Sequence, residues 1–126
     1  AMVLWSIENA MGGEVLVPKI PSYRIGDVAT AIAPDAEQEV IGIRPGEKIH
    51  EEMITASDSF NTVDMGNYYA ILPGTADYTI EQYCKDRGGE MVEPGFAYNS
   101  GTNPDFLTVE KLRALIERHV VGKAID

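Results

Sequence analysis

Arg44 and Glu47, separated only by Pro45-Gly46, are the residues whose types and spacing could do chemistry. An arginine carries a planar, permanently charged fork that matches two phosphate oxygens. A carboxylate three positions later can accept two hydrogen bonds from a vicinal diol such as a ribose. A cation for a diphosphate beside a carboxylate for a sugar is the smallest set able to hold a nucleotide sugar. The plainer alternative is a surface ion pair, with Glu47 doing no more than favouring the start of its own helix.

Other routes to chemistry are closed. His50-Glu51-Glu52 begins like the zinc-protease pattern H-E-x-x-H, but position 54 is Ile. No G-x-x-x-x-G-K-S/T phosphate loop occurs. Cys84 is the single cysteine, which excludes an internal disulfide and a cysteine-rich zinc site. No Ser/His/Asp or Cys/His constellation is visible, and His50 and His119 lie far apart in the chain. The sequence therefore offers binding residues, with no catalytic set and no metal set.

Elements must hold the pair in place. Val40 to Ile43 reads as a buried strand that enters the Pro45-Gly46 turn, and a helix is expected from Glu47 with Ile49, Met53 and Ile54 inward. Such a junction would aim backbone N–H groups and the positive helix end at one spot. Upstream, residues 2–11 read as a helix with Val3, Leu4, Ile7 and Met11 on one face. Neither a cap nor a turn precedes that helix, a first sign of a fragment. Residues 14–18 read as a strand ended by Pro18. Pro21-Ser22 opens a helix with Ile25, Val28, Ala29 and Ile32 at helical spacing. This alternation predicts an α/β fold with a short parallel strand pair joined by a right-handed crossover.

Downstream, Thr62–Met65 and Tyr68–Leu72 around Gly66-Asn67 predict a hairpin. Residues 79–87 predict a short helix, and Thr108 caps a last one lined by Val109, Leu112, Leu115, Ile116 and His119. The expected organisation is a single domain over 1–126, with its core in 2–72, a loop-rich stretch at 73–107 and a C-terminal helix at 108–121.

A chain of 126 residues is one domain's worth, and 44% hydrophobic with 24% charged residues is ordinary for a globular protein. A net charge of -10 argues against nucleic acid and against an anionic membrane face as partners. No apolar run reaches the roughly 18 residues of a membrane span, and the lone cysteine fits a reducing, cytoplasmic setting.

Four segments taken in order carry a family resemblance: "GGEVLVPKIPS" (12–22), "IGIRPGEKIHEEMI" (41–54), "NYYAILP" (67–73) and "YNSGTNPDFLTVEKLRALI" (98–116). Across residues 2 to 118 the sequence resembles the C-terminal portion of the inverting UDP-N-acetylglucosamine 4,6-dehydratases, extended short-chain dehydrogenase/reductases that make precursors of bacterial surface glycans. The resemblance implies the small substrate-binding domain of such an enzyme, without its Rossmann dinucleotide domain. It implies NADP as cofactor of the full-length family and none in this chain. Family chemistry oxidises C4 of the sugar, eliminates water across C5 and C6, and returns the hydride at C6. That needs a Gly-rich turn and a Tyr-x-x-x-Lys pair. Here Tyr23, Tyr68, Tyr69, Tyr78, Tyr83 and Tyr98 are followed four residues on by Asp27, Leu72, Pro73, Gln82, Arg87 and Thr102. The chain alone is therefore expected to be inactive.

Arg44 matches the family arginine on the nucleotide diphosphate, and Glu47 the acidic residue on the uridine ribose. A UDP-sugar is the implied ligand, with a homo-oligomer or a Rossmann-domain protein as partner. The competing reading is a free-standing, non-catalytic module that self-assembles or binds a full-length relative. Lys19 and Tyr23 are expected to be surface residues, Asn99, Ser100 and Asn103 a structural loop or subunit contact, and Cys84 a core residue.

Overall fold

Two apolar runs flanking Gly66-Asn67 form the hairpin on which one part of the molecule is built. The computed structural model describes residues 2–121 and divides them into two compact units. One takes the chain up to Ile20 together with Glu52–Asn99; the other takes Pro21–Glu51 and the chain from Ser100 onward.

In the first unit, α1 (Met2–Asn9) leads to β1 (Val15–Pro18). After the second unit's insertion come β2 (Glu52–Ile54), a 3-10 turn (Asp58–Asn61), β3 (Thr62–Asp64) and β4 (Tyr68–Ile71). They are followed by α3 (Ile80–Arg87), β5 (Glu90–Met91) and β6 (Tyr98–Asn99). β3 and β4 pair antiparallel as expected, with Val63 opposite Ala70 and Asp64 opposite Tyr69. Gly66 takes φ +85 at the first central position of the two-residue turn, and Met65 N donates to Tyr68 O at 2.9 Å. The sheet runs β1-β4-β3-β5.

Strand alternation sorts the side chains to two faces. Leu16, Ala70 and Leu72 join Val63 and Tyr83 in one cluster; Val17, Tyr69 and Ile71 join Ile54, Phe96 and Tyr98 in the other. α3 is capped by Thr79, whose hydroxyl accepts from Gln82 N, and it contributes the fully buried Tyr83.

The second unit holds α2 (Ile25–Ile32) and α4 (Val109–Ile116), with a π-helical continuation over Glu117–Val121. Thr108 caps α4 by accepting from Lys111 N. Arg113 on α4 donates to the carbonyls of Thr30 and Ala31, satisfying the end of α2. Ser22 is not the α2 cap, which falls on Arg24 without a side-chain hydrogen bond. Instead Ser22 N donates to Asp105 O and Leu107 N donates to Ser22 O, a one-residue parallel bridge. Only Ala31 and Leu112 are buried among this unit's described hydrophobic residues.

Three expectations fail here. The parallel strand pair does not form: β1 lies antiparallel to β4, with Val17 opposite Tyr69. Residues 40–43 are not a strand, because Gly42 stands at φ +83 and no neighbouring strand covers Val40 or Ile41, which are 93% and 80% exposed. Nor does a helix start at Glu47. The chain instead reaches β2, which pairs with β6, and Ile54 becomes fully buried against the Val17–Tyr69 cluster. Burial of Ile54 through long-range pairing outweighs a helical pattern whose other apolar members, Ile49 and Met53, are 81% and 43% exposed. The mixed α/β class, the hairpin and the last two helices stand.

Candidate functional site

The Arg44–Glu47 segment is a β-turn closed on itself. Glu47 N donates to Arg44 O at 3.0 Å, Pro45 fixes its own φ, and Gly46 sits at φ +86. Proline then glycine with positive φ is the sequence of a type II turn. The Glu47 carboxylate closes the turn from outside, accepting from Arg44 Nε at 2.8 Å and from Arg44 N at 2.9 Å. The two side chains are 78% and 43% exposed, so this pair adds little to stability and is open to a ligand. Arg44 and Glu47 are thus brought together, as the exposed ion pair of the plainer reading. The helix end expected behind them is absent, so the electrostatic help of a helix dipole does not apply.

Among the remaining singled-out residues, Lys19 is engaged. Its Nζ donates to both carboxylate oxygens of Asp64, at 2.6 and 2.8 Å, and lies 4.5 Å from the centre of the Tyr69 ring. Tyr23 is 54% exposed. Tyr98 pins the chain after β1, its hydroxyl accepting from Ile20 N and donating to Ile20 O. Ser100 and Asn103 hold the loop before α4: Glu51 N donates to Ser100 Oγ, and Asn103 Nδ2 donates to Ser22 Oγ. Burial pushes the Cys84 thiol up, reinforced by Glu81, which disfavours a nucleophilic thiolate.

Sequence reasoning passed over Arg24 and Phe106. The Arg24 guanidinium lies 5.9 Å from the Phe106 ring, beside an open hollow of about 340 Å³ also lined by Asp27, Thr108 and Glu110. Two carboxylates beside one cation give it no clear preference for anion or cation. Tyr83 was missed as well: its hydroxyl is buried without a hydrogen-bond partner among the described residues. Nothing in a single Tyr-Cys pair on a polar helix signals that.

The β1-to-α2 connection, Lys19 to Arg24, contains no glycine, and Pro21 removes one of the backbone donors a pyrophosphate would need. No helix among the described residues is long and apolar enough to cross a membrane.

Fold and site together define a mixed α/β module with an exposed Arg-turn-Glu clasp. The same fold occurs in a solved structure, "X-ray structure of Pen from Bacillus thuringiensis", at a TM-score of 0.69 and 22% identity, over 91% of this chain and 34% of that one. The family model described as "Polysaccharide biosynthesis protein" matches residues 1–73, and the chain belongs to that family. It is 41% identical over 126 residues to "UDP-N-acetylglucosamine 4,6-dehydratase (inverting)" of Campylobacter jejuni serotype O:2, across 95% of this chain. It is 29% identical over 119 residues to "UDP-glucose 4-epimerase" of Rickettsia felis. The chain spans 37% of the length of the dehydratase and 34% of the epimerase, and so corresponds to part of an extended short-chain dehydrogenase/reductase.

Proposed function

We propose that this chain supplies the nucleotide-sugar-binding part of a sugar-nucleotide 4,6-dehydratase of polysaccharide biosynthesis, working in the cytoplasm on a UDP-N-acetylglucosamine-like ligand. Arg44 grips the diphosphate and Glu47 meets the ribose. The carrying observation is the closed 44–47 turn, which sets a guanidinium and a carboxylate side by side in the open, inside the family-matched residues 1–73. The 41% identity to an inverting dehydratase supports the ligand class. NADP and the groups that oxidise and dehydrate the sugar belong, in this reading, to polypeptide outside the described residues, and this chain alone gives no turnover.

Calorimetric titration of UDP-N-acetylglucosamine into the chain and into Arg44→Ala tests this. Charge-assisted hydrogen bonds of about 1.5–3 kcal/mol imply roughly ten- to hundredfold weaker binding in the variant. Equal binding by both proteins, or binding by neither, rejects the assignment.

One observation favours the second reading, a non-catalytic module that self-assembles or binds a full-length relative. Val3, Leu4 and Ile7 on α1 are 67%, 67% and 77% exposed, an apolar stripe left bare. A sedimentation profile that shows one oligomer with and without UDP would support it; a monomer throughout would remove self-assembly.

A further inference from the structure

Both carboxylate oxygens of Glu47 are taken up by a single residue. Oε1 accepts from the Arg44 side chain at Nε, and Oε2 accepts from the Arg44 backbone N. With the Glu47 N to Arg44 O bond, three hydrogen bonds join the two residues across Pro45-Gly46. No packing helps, since every residue from Ile32 to Met53 is exposed. Local hydrogen bonds and the fixed backbone of the turn are what set the direction of the guanidinium.

A guanidinium presents two edges that can each grip a two-oxygen group. Nε belongs to the inner edge, which Glu47 occupies. The two terminal nitrogens on the outer edge donate to no protein atom among the described residues. That edge is the one suited to a phosphate.

We propose that Glu47 is a positioning residue for Arg44: it holds the inner edge so that the outer edge meets a diphosphate already oriented. The inference rests on reading the 44–47 turn as a diphosphate site and changes the task of Glu47 within it. Judged by charge alone, a carboxylate beside an anion site weakens binding. Judged by preorganisation, it strengthens binding, because a long side chain that is already held loses less rotamer freedom when the ligand arrives. The two effects have opposite signs, so an experiment can separate them. Since a carboxylate has about four lone-pair directions, a ribose contact can coexist with this role.

Inorganic pyrophosphate separates the roles, because it has the diphosphate and lacks the ribose. Pyrophosphate and UDP are titrated into the parent chain, Arg44→Ala, Glu47→Ala and Glu47→Gln. Positioning predicts that Glu47→Ala weakens pyrophosphate by about three- to tenfold, and UDP by at least that factor because its ribose contact is lost as well. Glu47→Gln, which keeps one acceptor, falls between parent and Ala. A loss confined to UDP would leave Glu47 as a ribose contact only, and pyrophosphate binding as tight or tighter than the parent's would leave only its charge; either result overturns the proposal. If the parent binds neither ligand, or Arg44→Ala binds as the parent does, the diphosphate reading itself fails.

The positioning contact is checked without ligand by the Arg44 Nε–Hε resonance in ¹⁵N NMR. It is expected to be shifted and protected in the parent and to move to the position of an unpaired arginine in Glu47→Ala. A parent resonance already at that position overturns the contact. The Arg44 amide should move too, since it loses its bond to Oε2, while amides outside the 44–48 turn should be unchanged because the turn buries no side chain.

Discussion

The hairpin with its covering helix and the run from Ile32 to Met53 carry the same kind of apolar residue to opposite ends. Val63, Ala70 and Tyr83 are fully buried, while Val40, Ile41 and Ile49 are 93%, 80% and 81% exposed. In the first region each apolar face meets another supplied by the chain itself: β4 lies on β3, and α3 covers them. In the second, no described element covers the pattern, and neither strand nor helix forms between residues 33 and 51. Turn chemistry behaves differently. Gly66-Asn67 and Pro45-Gly46 both make their turns, because a turn needs only its own backbone and nearby side chains. A strand pattern is a request for a partner; a turn pattern is sufficient by itself. The candidate site belongs to the second kind.

The widest separation between the regions should be seen in truncation. Tyr83→Ala removes the largest fully buried side chain and is expected to cost about 3–5 kcal/mol in urea denaturation. Ile41→Ala, at 80% exposure, is expected to change stability by no more than about 0.5 kcal/mol. A loss above about 1 kcal/mol for Ile41→Ala would mean that the run is covered in solution, and the contrast would collapse.

A backbone substitution sharpens the same point with a smaller effect. Gly89 stands at φ +100 where the chain from α3 returns to the sheet. A Cβ there would lie 2.7 Å from Asp64 O and 2.9 Å from Val63 Cγ1. Gly89→Ala should destabilise by about 1–3 kcal/mol through overpacking and backbone strain. Unchanged thermal and urea transitions would show that the approach relaxes without cost.

Much of this was legible in the residues, and the divide follows the physics. Thr79 and Thr108 announce helix starts through hydroxyls that accept from the first turn, and both do so. Arg44 and Glu47 were legible as a pair because their relation is local. The fate of Val40–Ile43 was not legible, since nothing inside those four residues says whether a neighbouring strand exists. β2 was missed for the complementary reason: its partner is at Tyr98–Asn99, and Glu52-Met53-Ile54 alternates too briefly to reveal it. The parallel crossover failed with them, because β1 found its partner in β4, more than fifty residues downstream. The two-unit division follows from chain segments that leave and return, which composition does not record.

The finest test concerns one oxygen atom. The Tyr83 hydroxyl is buried without a partner among the described residues, and its pKa is pushed from the usual 10 up to about 12, chiefly by burial, with Glu14, Tyr68 and Tyr78 adding and Arg87 opposing. The fold therefore favours the neutral phenol. This preference is fully present below about pH 10, where the unfolded chain also keeps the proton. It is lost as pH rises from about 10 to 12, because the unfolded tyrosine ionises first. Tyr83→Phe should flatten that alkaline decline in urea midpoints measured at pH 7, 9 and 11. A residual slope should persist, since burial also raises Tyr68, Tyr69 and Tyr78. At pH 7 the same variant removes an unpartnered polar atom and is expected to be neutral or more stable by up to about 1 kcal/mol. A clear loss at pH 7 would reveal a partner for the hydroxyl. An alkaline slope as steep as the parent's would place the sensitivity in the other three rings, and the core of the hairpin unit would then tolerate the phenolate after all.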